Sequence, residues 1–171
     1  MKMYNVSMNI EQVNNLKFIK GELKEGVYHI LPNPQWDKFS RDLSNCGSTI
    51  LEDIEQKRDE VRRLKISLFF FLGQKQLNRL SLEYNEIAKN FDLFFDASMR
   101  WLKSITDGNK YEEYQILQKQ YVENLVEHCR QASDYLGNII SAKRNDYYHY
   151  QALFFTVIAI TIAVISLIVK L

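Results

Sequence analysis

From Ala152 to Val169 eighteen successive residues carry no charge, whereas before that run apolar and polar residues alternate at spacings that repeat with a helical period. As a helix rising about 1.5 Å per residue, such a run reaches about 27 Å, close to the hydrocarbon thickness of a bilayer. It predicts a transmembrane helix, with residues 150–171 forming the anchor. A buried core helix is the competing reading.

Upstream of the anchor the pattern is amphipathic. After Gly73 the positions Leu77, Leu80, Tyr84, Ile87, Phe91, Phe94, Ser98, Trp101 and Ile105 follow steps of 3 and 4, and Ser98 is the only polar member. No Pro or Gly interrupts them, which predicts one long bundle-type helix. Asp107-Gly108-Asn109 reads as a turn. From Tyr111 a last helix is predicted with Tyr114, Leu117, Tyr121, Leu125, Cys129, Ala132, Leu136 and Ile140 inward, and with no proline after it the helix runs on into the anchor.

Earlier in the chain, Leu31-Pro32-Asn33-Pro34 predicts a helix start, with Asn33 as N-cap and Pro34 at the first helical position. That helix passes through Trp36, Phe39 and Leu43 and is interrupted or capped at Gly47; Ser48 then caps another bearing Ile50, Ile54, Val61, Leu64 and Leu68. The cluster Leu68-Phe69-Phe70-Phe71-Leu72 is too short to span and reads as core or as a partner contact. Residues 1–33, with Gly21 and Gly26, read as an irregular segment holding an extended piece from Gly26 to Leu31. The expected fold is all-α: an elongated helical bundle over residues 34–149 with one C-terminal transmembrane helix.

Composition narrows the function classes. The chain has 22 basic and 21 acidic side chains; since only Lys170 among them lies beyond the apolar run, residues 1–151 carry 21 of each. A neutral cytosolic part lacks the broad basic footprint of nucleic-acid binders. Cys46 and Cys129 are too few for a disulfide framework and read as small core residues in a reducing compartment. His128-Cys129 has no second pair at ligand spacing, so neither a metal nor another cofactor is expected. The beginning Met1-Lys2-Met3-Tyr4 has no apolar stretch of signal-peptide length. Lys143 and Arg144 before the anchor and Lys170 after it predict a single-pass, tail-anchored protein with its N-terminal region in the cytoplasm.

Inside the anchor the small residues Ala152, Thr156, Ala159, Ala163 and Ser166 recur at intervals of 4, 3, 4 and 3. Small residues let helix backbones approach closely in lipid, so this seam predicts homo-oligomers. Extended backwards it meets His149, Asn145 and Ala142, which would place His149 and Asn145 near the mouth of an assembly axis. Thr156, Thr161 and Ser166 are the only uncharged polar groups within the run, so a lumen lined by these helices would be mostly apolar and prone to dewetting.

The most pointed chemical motif is Arg144-Asn145-Asp146-Tyr147-Tyr148-His149. A histidine can move protons around a ribose 2′-hydroxyl while an arginine steadies the phosphate. On one α-helix, however, a five-residue step turns the two side chains about 140° apart, so a second chain would have to complete the site. The alternative is an interfacial belt, in which Tyr147, Tyr148, Tyr150, Lys143 and Arg144 sit among lipid headgroups. Asp92 and Asp96 read as a solvated edge, and Lys57, Arg58, Arg62, Arg63 and Lys65 as cations paired on a helix surface with a secondary option of touching RNA or headgroups.

The arginine, the polar residue and the histidine at this spacing resemble the motif of HEPN ribonucleases. With the all-helical cytosolic part and the single apolar helix, the chain resembles the HEPN-motif membrane accessory proteins encoded beside the RNA-guided, RNA-targeting effector of type VI-B CRISPR loci. That resemblance implies a divergent HEPN-like bundle in the bacterial inner membrane and a ring-shaped pore. Such a pore would enhance antiphage defence by permeabilising or depolarising the membrane, in functional partnership with the CRISPR effector. It implies Arg144, Asn145 and His149 as the catalytic motif, more a mark of ancestry than of present activity. The first reading is therefore a non-enzymatic effector; the alternatives are a membrane-tethered HEPN ribonuclease that binds RNA and a tail-anchored adaptor.

Overall fold

The computed structural model describes residues 8–64, 70–107 and 111–170. Among them are helices α1 (Ile10–Glu22), α2 (Asn33–Arg63), α3 (Phe70–Leu102) and α4 (Glu113–Lys170), and two-residue strands β1 (Ile30–Leu31) and β2 (Ile105–Thr106) that pair in parallel. The expected all-α bundle with one long apolar C-terminal helix is thus the architecture found. The side chains of the Leu68 to Leu72 cluster, Lys65 and the turn at Gly108-Asn109 lie outside the described residues.

Helix α3 takes the register its sequence predicts. Leu77, Leu80, Ile87, Phe94, Ser98 and Trp101 are buried, and Tyr84 and Phe91 pack partly against the same core. Ile105 falls beyond the helix end, in β2, where pairing with Ile30 holds the chain extended.

Helix α2 is one helix where the sequence predicts two. Gly47 does not end it: a Cβ at this position would lie 2.5 Å from Leu125 Cδ2 and 2.7 Å from Phe94 Cζ. The glycine is required by the close approach of α3 and α4, and that packing offsets the roughly 1 kcal/mol that glycine costs inside a helix. The start also differs by one residue. Pro32 occupies the cap position, and Asn33 Oδ1 makes no cap bond but accepts from Gln115 Nε2 at 3.4 Å.

Residues 1–33 are not wholly irregular, because α1 lies within them. Asn9 caps it reciprocally, its Oδ1 accepting the Gln12 N–H at 2.8 Å while Gln12 Oε1 accepts the Asn9 N–H at 3.0 Å. Leu16 and Ile19 bury its inner face, Gln12 Nε2 donates to Thr49 Oγ1 at 2.9 Å, and Lys20 pairs with Asp96 at 2.6 Å. Asp96 is therefore no solvated edge, although Asp92 is exposed.

Three long helices form the body. Asn33 meets Gln115, Gly47 meets Leu125 and Leu64 meets Lys143, so α2 and α4 run parallel; Trp36 meets Trp101 and Gly73 meets Tyr147, so α3 runs antiparallel to both. At the end remote from the apolar run the Trp36 and Trp101 rings lie 4.4 Å apart, and Trp101 Nε1 donates to the Trp36 carbonyl at 3.3 Å. Arg100 donates to the carbonyls of Lys20 and Leu23 at 2.7 and 2.9 Å, closing the end of α1. Lys119 donates to the carbonyls of Leu102 and Ser104 at 2.9 and 3.0 Å, and its burial lowers its pKa. Such contacts satisfy helix-end carbonyls that would otherwise be orphaned.

Helix α4 departs from its predicted inner face over its first turns. Tyr114, Leu117 and Tyr121 are exposed, and Gln115, Val122, Val126 and Ser133 are buried alongside Leu125, Cys129, Leu136 and Ile140. The buried set keeps a period of about 3.5 residues, whereas following the bulkiest residues gives about 3.7 and drifts off the seam. The displaced residues line an open cavity of about 460 Å³ with Ser40, Arg41, Ser44, Asn45 and Gln118.

The thiols of Cys46 and Cys129 are core groups, as expected. Burial pushes both up to about 12, and Cys129 Sγ sits 3.4 Å from the Gly47 carbonyl. Most of the basic run on α2 is paired: Lys57 bridges Glu60 at 3.3 Å and Glu83 at 2.7 Å, Arg58 meets Asp59 at 3.5 Å, and Arg62 donates to Tyr135 Oη at 2.8 Å.

The core generates a packing test. Gly47→Val should lower stability by about 2 to 3 kcal/mol through overpacking. Gly21→Ala, where a Cβ meets nothing within 4 Å, should raise it by about 0.5 to 1 kcal/mol. Denaturant titration of the full chain in detergent measures both, and a neutral Gly47→Val would show that α3 and α4 yield freely there. Asp53 generates a pH test. It is buried and Met8 donates a backbone N–H to it, yet Oδ1 has no partner, and burial, opposed by Lys57, pushes its carboxyl up to about 6. Because the folded value lies above the unfolded value of about 3.9, the contribution is complete below pH of about 4 and is lost as pH rises through about 6. Wild type should be more stable at pH 5 than at pH 7, and Asp53→Asn should flatten that difference; an unchanged slope would assign it to other groups.

Candidate functional site

The motif from Arg144 to His149 lies where the bundle gives way to the apolar run. Helix α4 does not break there: it is continuous over 58 residues, about 87 Å at the standard rise. Every residue from Ala152 to Val169 is exposed, so the run is no core helix of this chain. It is long and apolar enough to cross a membrane.

Three contacts tie the bundle to this level of α4. Lys143 Nζ donates to the Leu64 carbonyl at 3.4 Å, where α2 ends. Arg144 Nη2 donates to Ser81 Oγ on α3 at 2.7 Å. Tyr147 is buried against Gly73, where any Cβ would overlap its phenol. Tyr147 thus leaves the expected interfacial belt for the core, whereas Tyr148 and Tyr150 are exposed as a belt requires. Burial raises the Tyr147 pKa, and among the described residues its hydroxyl has no hydrogen-bond partner, so it acts as a packed ring.

The other motif residues are brought together only in part. Asn145 and His149 are exposed and make no hydrogen bond among the described residues; the His149 ring lies edge-on to Tyr150 with centroids 6.2 Å apart. Arg144 is exposed but anchored by Ser81, five positions from His149 on one uninterrupted helix. One chain therefore does not aim both side chains at one phosphate. Among the described residues no group of three or more His, Cys, Asp or Glu is placed to hold a metal.

All five seam residues, Ala152, Thr156, Ala159, Ala163 and Ser166, are exposed on this helix. Thr156 Oγ1 donates to the Ala152 carbonyl at 2.9 Å and Thr161 Oγ1 to the Val157 carbonyl at 2.8 Å. These hydroxyls are satisfied within the helix, as the absence of water in lipid demands. The two threonine hydroxyls, with their hydrogens engaged in this way, retain little donor capacity for other partners.

No protein-family model, curated protein or solved structure matches the chain. Sequence reasoning missed the Tyr147–Gly73 and Arg144–Ser81 contacts. Gly73 was their only local signal, since a glycine inside a helical pattern marks close approach.

Tyr147→Phe follows from this geometry. Removing a buried hydroxyl that has no partner should leave stability unchanged or raise it by about 1 kcal/mol. Denaturation of the full chain in detergent measures it, and a loss of similar size would reveal a bond made by the hydroxyl.

Proposed function

We propose that this chain is a membrane effector that acts by assembling with copies of itself rather than by catalysis. The observation that carries this reading is the unbroken α4, which bears core residues from Gln115 to Tyr147 and, on the same rigid element, the exposed small-residue seam from Ala152 to Ser166. Spans that associate along the seam would fix the orientation of their bundles as well, because no hinge separates them. Close backbone approach at Ala152, Ala159 and Ala163 supplies the dispersion energy that replaces the hydrophobic effect in lipid.

The basic pair Lys143 and Arg144 favours a bundle on the cytoplasmic side; that the membrane is the bacterial inner one is what the resemblance implies. In a ring of such helices Asn145 and His149 would stand at the mouth, above a mostly apolar lumen suited to gating by dewetting. The resemblance to the type VI-B accessory proteins extends the role to permeabilising or depolarising the membrane in support of an RNA-guided, RNA-targeting effector.

Cysteine cross-linking in native membranes tests assembly. With Cys46 and Cys129 buried, Ala152→Cys and Ala159→Cys should form disulfide-linked dimers, while Val157→Cys and Ile168→Cys on the opposite side should not. Ala159→Leu with Ala163→Leu should weaken association at least tenfold, about 1.4 kcal/mol, and reduce dye release from vesicles in parallel. Equal cross-linking on both faces would sink the seam. RNA cleavage by wild type, abolished by His149→Ala, would replace this reading with a ribonuclease completed across a dimer.

A further inference from the structure

A second feature of the membrane-side end of the bundle concerns lipid directly. Leu64, the last described residue of the α2 end, is bonded to Lys143, and Gly73, in the first turn of α3, lies against Tyr147. Tyr147 precedes Ala152 by five residues, about 7.5 Å along the axis. The headgroup region on each side of a bilayer is about 5 to 7 Å deep. Gly73 therefore stands at the outer edge of that region when α4 spans. Because α3 runs antiparallel to α4, its first residues, Phe70, Phe71 and Leu72, occupy register positions nearer the membrane still.

The charges at this end are as one-sided as its position requires. Over residues 61–64, 70–77 and 140–150 the basic side chains are Arg62, Arg63, Lys75, Lys143 and Arg144, against one carboxylate, Asp146. The chain as a whole is balanced, with 22 basic and 21 acidic groups, so the excess is local. Arg63 and Lys75 are exposed and form no ion pair among the described residues, unlike Lys57, Arg58 and Arg79 farther up the bundle. Cations held within a Debye length of a membrane are attracted to anionic headgroups.

We propose that this end of the bundle is a second membrane contact, in which Arg63 and Lys75 engage anionic lipid headgroups beside the span. The bundle is then seated on the bilayer at two places, α4 and the Arg63 and Lys75 pair, and its tilt relative to the membrane is fixed by lipid charge. This rests on the reading of α4 as a spanning helix. Flotation of the full chain with vesicles reports that reading separately and is indifferent to lipid charge.

The test uses the full chain reconstituted in phosphatidylcholine vesicles with or without phosphatidylglycerol. A fluorophore is placed at Gln74→Cys or, at the remote end, at Lys38→Cys, and nitroxide-bearing lipids serve as quencher. Quenching at position 74 should exceed that at position 38 roughly threefold or more when phosphatidylglycerol is present. It should fall at least twofold, while staying above the position 38 level, without phosphatidylglycerol or in the Arg63→Glu, Lys75→Glu double variant, with flotation unchanged. Equal quenching at the two positions, or strong quenching at 74 that ignores both lipid charge and the double variant, overturns the proposal. Loss of flotation in wild type would instead remove the spanning reading on which it stands.

Discussion

A polypeptide that enters lipid must satisfy each backbone N–H and C=O within itself, and α4 meets that demand by remaining helical from the core of the bundle through the last apolar turn. Most other features of the molecule are placed by this constraint. Because the same helix supplies the packing surface of Gln115 to Tyr147, α2 and α3 must align with it, and their junction is forced toward the membrane-side end. The Trp36–Trp101 pair, the Arg100 and Lys119 caps and the β1–β2 pairing are forced to the other.

How much of this was legible depended on whether a residue's own chemistry decided its place. Helix α3 was readable almost to the residue because Leu77, Leu80, Ile87, Phe94 and Trp101 have no acceptable position except the core. The apolar run was readable as a helix outside the core, because eighteen residues without a charge give it length and apolarity enough to cross a membrane. Gly47 was misread because a glycine that ends a helix and one that admits a neighbour look identical in sequence; only the positions of Phe94 and Leu125 distinguish them. Tyr114, Leu117 and Tyr121 misled through their size. Gln115 takes the inward position because Asn33, Thr106 and Glu112 give its amide partners, a reward that no hydropathy pattern encodes. Helix α1 carries a local signal in the Asn9–Gln12 capping box, which the reading of residues 1–33 as irregular, resting on Gly21 and Gly26, passed over.

The candidate site was legible as a location and less so as chemistry. Arg144, Asn145 and His149 do lie at the boundary between bundle and span, but what each side chain does there depends on α3. Ser81 takes up the Arg144 guanidinium and Gly73 draws Tyr147 inward, leaving Asn145 and His149 exposed and without a hydrogen bond among the described residues. Both partners lie more than sixty positions away, beyond the reach of local spacing. A motif read along one helix thus separates into a structural half, Arg144 with Tyr147, and an exposed half, Asn145 with His149.

That separation bears on how assembly could be transmitted. The remote end is fixed by buried aromatic stacking and by charged caps on helix termini, which are costly to break because each removes a partner from a buried polar group. Among the described residues, the contacts at the end nearer the apolar run include one ring on a glycine, one lysine on a carbonyl at 3.4 Å and one exposed arginine on a serine. If neighbouring spans imposed a rearrangement there, sliding Tyr147 along α3 would break no hydrogen bond of its hydroxyl among the described residues. The unbroken α4 makes such a shift a movement of the entire span relative to α2 and α3 and concentrates the change on Asn145, His149 and the first turn of α3. Those groups adjoin the apolar run, so if that run associates in lipid, association and rearrangement of this end of the bundle would be one event.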